Sequence, residues 1–246
     1  WEYGTGALGD IGCHTLDAPY KTLKLGYPSS VECTATNVFR KMWVPEYTPT
    51  GCPISSIVTI EYKNSPHNKD GIKLIWMDGG LTPTIPEEIK EEYIMNFDKG
   101  ESSGIMMVGA KGVITAEIYA NNPTLYIKGE KPVVFSTNKQ PNVNIVHAST
   151  WTEACKAGFN SKEHKNLTSS FDYSGPFTET VIMGNLALRS RDLRKKIRTK
   201  RNGRDEMDYF GRKKLLWDGE NMKITNLDEA NEFVSKKYRE GWELPI

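Results

Sequence analysis

The chain has 246 residues, and its 32 lysines and arginines stand against 31 aspartates and glutamates for a formal net charge of +1. That balance argues against a dedicated nucleic-acid binder, which carries a clear basic excess. Hydrophobic residues make up 38% and charged residues 26%, the composition of a globular chain rather than a disordered one, and no stretch approaches the roughly 18 consecutive apolar residues of a membrane span.

A length near 250 allows one large domain or two small ones, and either buries a core without staples. The four cysteines, Cys13, Cys33, Cys52 and Cys155, are widely scattered, with no C-x-x-C and no histidine at zinc-ligand spacing. Four free, mostly buried thiols and no metal site are therefore expected. The chain opens on Trp1-Glu2-Tyr3 and runs at once into a glycine motif. So abrupt a start reads as that of a piece of a longer protein.

Residues 4–9 read Gly4-Thr5-Gly6-Ala7-Leu8-Gly9, a literal G-x-G-x-x-G. A dinucleotide-binding turn needs a buried strand before it and a βαβ unit around it. Only three residues precede this motif, so it reads as a flexible turn leading into a helix.

That helix, over 10–25, carries the most chemistry. Asp10, His14 and Asp17 stand at i, i+4 and i+7 and share a face. Ile11, Leu16, Tyr20 and Leu23 supply an apolar side, Pro19 kinks or restarts the helix, and Gly26 with Pro28 ends it. A carboxylate one turn from a histidine orients the ring for general acid/base work. The same spacing also fits an ordinary surface pair; the glycines at the helix start, which permit close approach of a ligand to the backbone, favour a site.

The middle of the chain reads as β. Val31, Cys33 and Ala35 alternate on one face of a strand over 30–40, and 56–62 and 72–77 are short apolar runs. Two strands flank Gly109-Ala110-Lys111 as a hairpin, and 125–127 and 133–135 add two more. Successive strands without intervening helices predict a largely antiparallel sheet. Segment 79–99 reads as an exposed excursion with a short acidic helix near Glu87–Tyr93, and Asp78-Gly79-Gly80 as a turn.

The last third returns to helix, over 147–157 and from Pro176 to about Arg189, with a final amphipathic helix over 227–239 capped by Asn226 or Asp228. His147 has no carboxylate partner in sequence and reads as structural. The run 189–204 holds nine basic residues; it fits a phosphate or nucleic-acid patch, but in a neutral chain it reads first as a solvated loop. Asn166-Leu167-Thr168 is a glycosylation sequon.

Asp10-Ile11-Gly12-Cys13-His14-Thr15-Leu16-Asp17 resembles the D-x-G-x-H-x-x-D signature of the Gfo/Idh/MocA oxidoreductases, the glucose–fructose oxidoreductase and inositol dehydrogenase group. The lead-in Trp1–Asp10 is similar to a bacterial branch of it. So are the blocks Trp151–Lys156, Phe171–Pro176, Gly184–Ala187, Leu216–Gly219 and Tyr238–Trp242, in the same order. The resemblance runs over nearly the whole chain.

The resemblance implies an α+β fold: a large, mainly antiparallel open sheet with helices packed on one face, in a single substrate-binding and oligomerisation domain over 1–246. The family's N-terminal Rossmann domain, which binds NAD or NADP, is expected to lie outside this chain. Its catalytic lysine sits in an E-K-P motif; Glu130-Lys131-Pro132 carries those letters in a loop among late strands, so Lys131 is not taken for it. The implied activity is NAD(P)-dependent oxidation of a sugar or polyol, with His14 taking the substrate hydroxyl proton and Asp10 positioning substrate and histidine. Trp1, Tyr3, Thr5 and Asp17 are implied at the substrate site, Asp17 chiefly as a structural acid. Gly6 is implied near the nicotinamide. A homo-oligomer through the free sheet face is expected, with no nucleic acid, membrane or metal. An NAD-dependent glycosidase working through transient sugar oxidation, or a non-catalytic carbohydrate-binding module, stands as the alternative. The family offers no role for the basic segment.

Overall fold

The computed structural model describes residues 1–63, 65–89, 103–135 and 143–243. The fold is α+β, and every strand pairing among the described residues is antiparallel. The chain divides into two compact units. The first comprises Trp1–Cys13, Lys21–Pro83 and Thr180–Ile246; the second comprises His14–Tyr20 and Thr84–Glu179.

The glycine motif lies largely inside a helix rather than before one. Helix α1 runs over Gly6–Thr15 and α2 over Asp17–Leu23. The break falls at Leu16, and the restart places Pro19 in the first turn of α2, where its missing N–H has no intrahelical partner to lose. Asp17, in that same turn, suits the positive end of the helix dipole.

The first unit holds a five-stranded sheet. Its strands are β1 (Ser30–Ala35), β2 (Ser56–Tyr62), β3 (Ile72–Met77) and two from the C-terminal third, one paired with β1 and the other beyond it. In β2, Ser56, Val58, Ile60 and Tyr62 are buried while Ile57, Thr59 and Glu61 are half-exposed, the period-two pattern of a strand with one covered face. Register sets Val31 opposite Ile60 and Ile60 opposite Leu74.

In the second unit, β4 (Gly104–Gly109) and β5 (Gly112–Glu117) form the expected hairpin across Ala110-Lys111, continued by β6 (Thr124–Tyr126) and β7 (Val133–Val134). These four make a sheet of their own, in the order β4-β5-β6-β7. The strands of 30–135 therefore do not form one large open sheet. The five-stranded sheet ends at β3, and the next strands in the chain, β4–β7, pair only with one another. The acidic helix expected near Glu87–Tyr93 lies mostly outside the described residues; Ile89 closes a turn on Pro86.

Helix α3 (Val143–Ala157) ends as expected at Gly158, whose N–H donates to Ala154 O at 3.0 Å. After the single turn α4 (Lys162–Lys165) comes α5 (Phe171–Ser190), which starts five residues before Pro176 and carries the proline inside it. The C-terminal part of α5 covers the five-stranded sheet. Tyr62 donates its hydroxyl to Thr180 Oγ1 at 3.0 Å, both side chains buried. At Gly184 a Cβ would meet Leu8 Cδ2 and stand 3.2 Å from Val58 Cγ1, so the glycine lets helix and sheet meet at van der Waals distance. Helix α3 belongs to the second unit.

The basic run is not a loop beyond residue 194. Strand β8 (Lys195–Thr199) pairs with β9 (Asp205–Asp208) in an exposed hairpin, and its cations are met across the strands. Arg198 reaches Glu206 at 2.7 Å and Lys196 reaches Asp205 at 2.7 Å. The exposure matches the solvated reading; the acidic residues of β9 supply the pairing that turns it into a hairpin. Strands β10 (Leu215–Asp218) and β11 (Lys223–Ile224) then complete the five-stranded sheet in the order β11-β10-β1-β2-β3.

Among the described residues no long terminal helix follows. A 3-10 turn covers Asp228–Phe233, and neither Asn226 nor Asp228 caps it. Asn226 is committed to the sheet instead, accepting from Leu216 N and donating to Lys214 O at 2.8 Å each. Asn231 clamps the backbone N–H and C=O of Ile224 at 2.8 and 2.9 Å.

The outer face of the five-stranded sheet, offered by the sequence as an oligomer surface, carries a row of charges. Lys214 lies 2.9 Å from Glu61 and 3.7 Å from Glu32, and Lys73 lies 3.7 Å from Glu61. Ile75 and Leu216 are exposed beside them, so this face is mixed rather than apolar. Among the described residues no helix is long and apolar enough to cross a membrane.

Candidate functional site

Helix α1 sets Asp10 and His14 one turn apart, and both are exposed. Among the described residues neither side chain has a hydrogen-bond or ion-pair partner, and none joins the two to each other. The His14 ring meets Tyr119 edge-on, with centroids 5.3 Å apart and planes at 72°. The imidazole nitrogens thus remain available to a ligand.

Asp17 is committed to structure. Its carboxylate accepts a short hydrogen bond from the Tyr173 hydroxyl. Tyr173 and Phe177 of α5 pack with Tyr20 of α2 as an aromatic cluster, with centroid separations of 5.0 to 5.9 Å. Burial pushes the Tyr173 phenol above its ordinary pKa, and the Asp17 carboxylate, which accepts its proton and repels the phenolate, pushes the same way.

Two cavities lie in the first unit. The smaller, about 210 Å³, is walled by Trp1, Thr5, Gly6 and Asp78 among others. Asp78, read from sequence as part of a turn, is a knot. Its carboxylate accepts from Ser56 N–H, from Ser56 Oγ at 2.9 Å and from Trp76 Nε1 at 2.8 Å. Tyr3 is fully exposed, and Asp10 and His14 line neither this cavity nor the larger one.

Two of the three glycines, Gly6 and Gly9, have packing reasons. Gly6 has φ +70°, and a Cβ there would lie 3.0 Å from Cys52 Sγ; a Cβ on Gly9 would collide with the Thr5 side chain. Among the described residues the first element is α1. Gly6 and Gly9 thus lie within α1 rather than in an open turn before it.

The larger cavity, about 480 Å³, is walled by Trp1, Tyr47, Arg189, Arg191, Arg194 and Phe233 among others. Sequence reasoning missed it because these arginines sat within a run read as solvated. The signal was the R-x-R-x-x-R spacing directly after an apolar helix, which keeps those three basic groups near the core.

All four cysteines are free, as expected, but they are not mostly buried: Cys13, Cys52 and Cys155 are exposed. Cys52 lies in a loop and the other two on the outer sides of α1 and α3. Cys33, on the inner side of β1, is the exception. Burial pushes its thiol up to about 12, with nearby Arg191 acting the other way. Among the described residues no group of histidines, cysteines and carboxylates is placed to hold a metal ion.

No protein-family model matches the chain, and no curated protein matches it.

Proposed function

We propose that these residues are the substrate-binding and acid/base portion of an NAD(P)-dependent oxidoreductase of the Gfo/Idh/MocA type, acting on a sugar or polyol. One observation carries the reading. Asp10 and His14 stand exposed one turn apart on α1 with their polar atoms unspent among the described residues. The ordered blocks that resemble the family support it.

A hydride leaves a carbinol carbon readily only when the hydroxyl proton leaves with it. His14 as a neutral imidazole accepts that proton, and Asp10 orients ring and substrate. Asp17 supports the arrangement from behind by tying α2 to Tyr173. A nicotinamide would receive the hydride. By the family resemblance its binding is assigned to a Rossmann domain outside these residues, and no step is derived through it.

The test is an assay of the protein that carries these residues together with that domain. Sugars, polyols and glycosides are offered with NAD⁺ and NADP⁺, and cofactor reduction is followed. Reduction dependent on a free sugar or polyol supports the proposal. Cleavage of a glycoside without net reduction would move it to the redox-assisted glycosidases. No turnover with any of the panel would leave a non-catalytic binding module.

A further inference from the structure

The larger cavity holds three arginines that the chemistry proposed for α1 does not use. Arg189 lies in the last turn of α5, and Arg191 and Arg194 lie between α5 and β8. All three are half-buried. Each guanidinium is held by a neutral partner. Arg194 Cζ lies 3.6 Å from the Tyr47 ring centroid and Arg189 Cζ 4.4 Å from that of Phe233. Arg191 donates to Asn37 Oδ1 at 3.4 Å, and Arg194 Nη1 to the Tyr209 hydroxyl at 3.5 Å, which leaves each guanidinium further N–H groups. Stacking occupies the face of a guanidinium and leaves its in-plane N–H groups free to donate.

Among the described residues none of the three forms an ion pair. Glu46, also on the wall, is taken by Arg40 at 2.7 Å. Asp192 and Glu232 are the other acids there, so the unpaired charge on the wall is positive in excess. Like charges crowded on a half-buried wall repel one another, and an oxyanion relieves that repulsion while matching the guanidinium forks. A volume of about 480 Å³ falls within the roughly 300–1,000 Å³ of small-molecule sites.

We propose that this cavity binds a small oxyanion-bearing molecule, a phosphate ester or a carboxylate, with Arg189, Arg191 and Arg194 donating to the anionic group. Tyr47 and Phe233 hold two of the forks in place, and Asp192 and Glu232 accept from hydroxyl groups on the rest of the molecule. The site stands independently of the reading of Asp10 and His14.

The test is calorimetric titration of the full chain with inorganic phosphate, a hexose phosphate, a hexuronate and a neutral hexose, at low and high salt. At least one anion saturates, more weakly at high salt, and the neutral hexose does not bind. Whether phosphate or carboxylate binds tighter names the source. Arg191→Gln and Arg194→Gln each weaken binding about tenfold or more, the loss of one charge-assisted hydrogen bond. Asp192→Asn strengthens the binding of inorganic phosphate, which carries no sugar hydroxyls for Asp192 to hold. Arg201→Gln, which removes the same charge from the exposed hairpin turn, leaves binding unchanged. No saturable binding of any anion by the parent chain overturns the proposal whatever the variants do. So does equal binding of the neutral hexose, or an equal loss in Arg201→Gln and Arg191→Gln.

Discussion

Gly184 of α5 faces Leu8 of α1 so closely that a single methyl group at position 184 would overlap the leucine side chain. Leu8 is 1% exposed and cannot swing into solvent. The contact fastens α5 and α1 over Val58 of β2, and it makes the absence of a side chain at 184 part of the core.

Gly184→Ala tests that contact. Alanine gains about 1 kcal/mol of helix propensity, while overpacking a close-packed core costs about 1–3 kcal/mol. The expected net effect is destabilisation of about 1 kcal/mol in denaturant unfolding. Leu8→Ala alone costs about 2–5 kcal/mol, and the double variant is less destabilised than the sum because each change makes room for the other. A more stable Gly184→Ala would show that the helix does not press on Leu8.

The thiols separate by environment. Cys13, Cys52 and Cys155 are exposed, and the Cys33 thiol is pushed up to about 12 by burial. Only thiolate reacts at useful rates. A thiol reagent at about pH 8 is therefore expected to modify three cysteines quickly in the folded protein and the fourth, Cys33, only on unfolding. Peptide mapping reads this directly, and early labelling of Cys33 would contradict the burial of the inner side of β1.

The Tyr173–Asp17 bond makes stability depend on alkaline pH. The folded phenol titrates above its unfolded value of about 10. The bond's contribution is thus whole below that unfolded value and is lost as pH rises through the folded one. Tyr173→Phe is expected to cost about 1 kcal/mol at neutral pH, the low end for a charge-assisted bond because the pair is partly exposed. The parent then loses its advantage over the variant on the alkaline side. A constant difference up to strongly alkaline pH would show that the hydroxyl does not titrate with folding.

The acid side belongs to Glu61. Its hydrogen bonds from Lys214 and then Ser30 lower its pKa below the ordinary glutamate value. That stabilisation is present above the unfolded value of about 4.3 and is lost as pH falls through the lower folded value. Lys214→Gln should destabilise at pH 7 by about a few tenths of a kcal/mol, since the pair is solvent-screened. The difference should shrink on acidification and at high salt. A difference that grows on acidification would contradict the pairing.

Much of the local structure was legible because it follows from short-range chemistry. Strands β2 and β3 lie where their apolar runs stand, Gly158 ends α3, and Pro19 restarts a helix. What escaped depends on partners distant in sequence. Leu215 and Leu216 do not read as a strand until β1 pairs with them, and Asn226 looks like a helix cap until it is seen bonding to the backbone of Lys214 and Leu216. The basic run resolves only when the acids of β9 come opposite. At the candidate site, the shared helix of Asp10 and His14 was legible from their spacing. The knot at Asp78 and the arginine-walled cavity were not, because each is assembled from segments more than twenty residues apart.

The most direct test of the central claim is the rate of cofactor reduction by His14→Ala, in the protein that carries these residues with its dinucleotide-binding domain. Turnover is expected to be lower by roughly 10²–10⁴, the range for losing a general acid/base, with a smaller loss in Asp10→Asn. Full activity in His14→Ala, on a substrate that the parent oxidises, would contradict it.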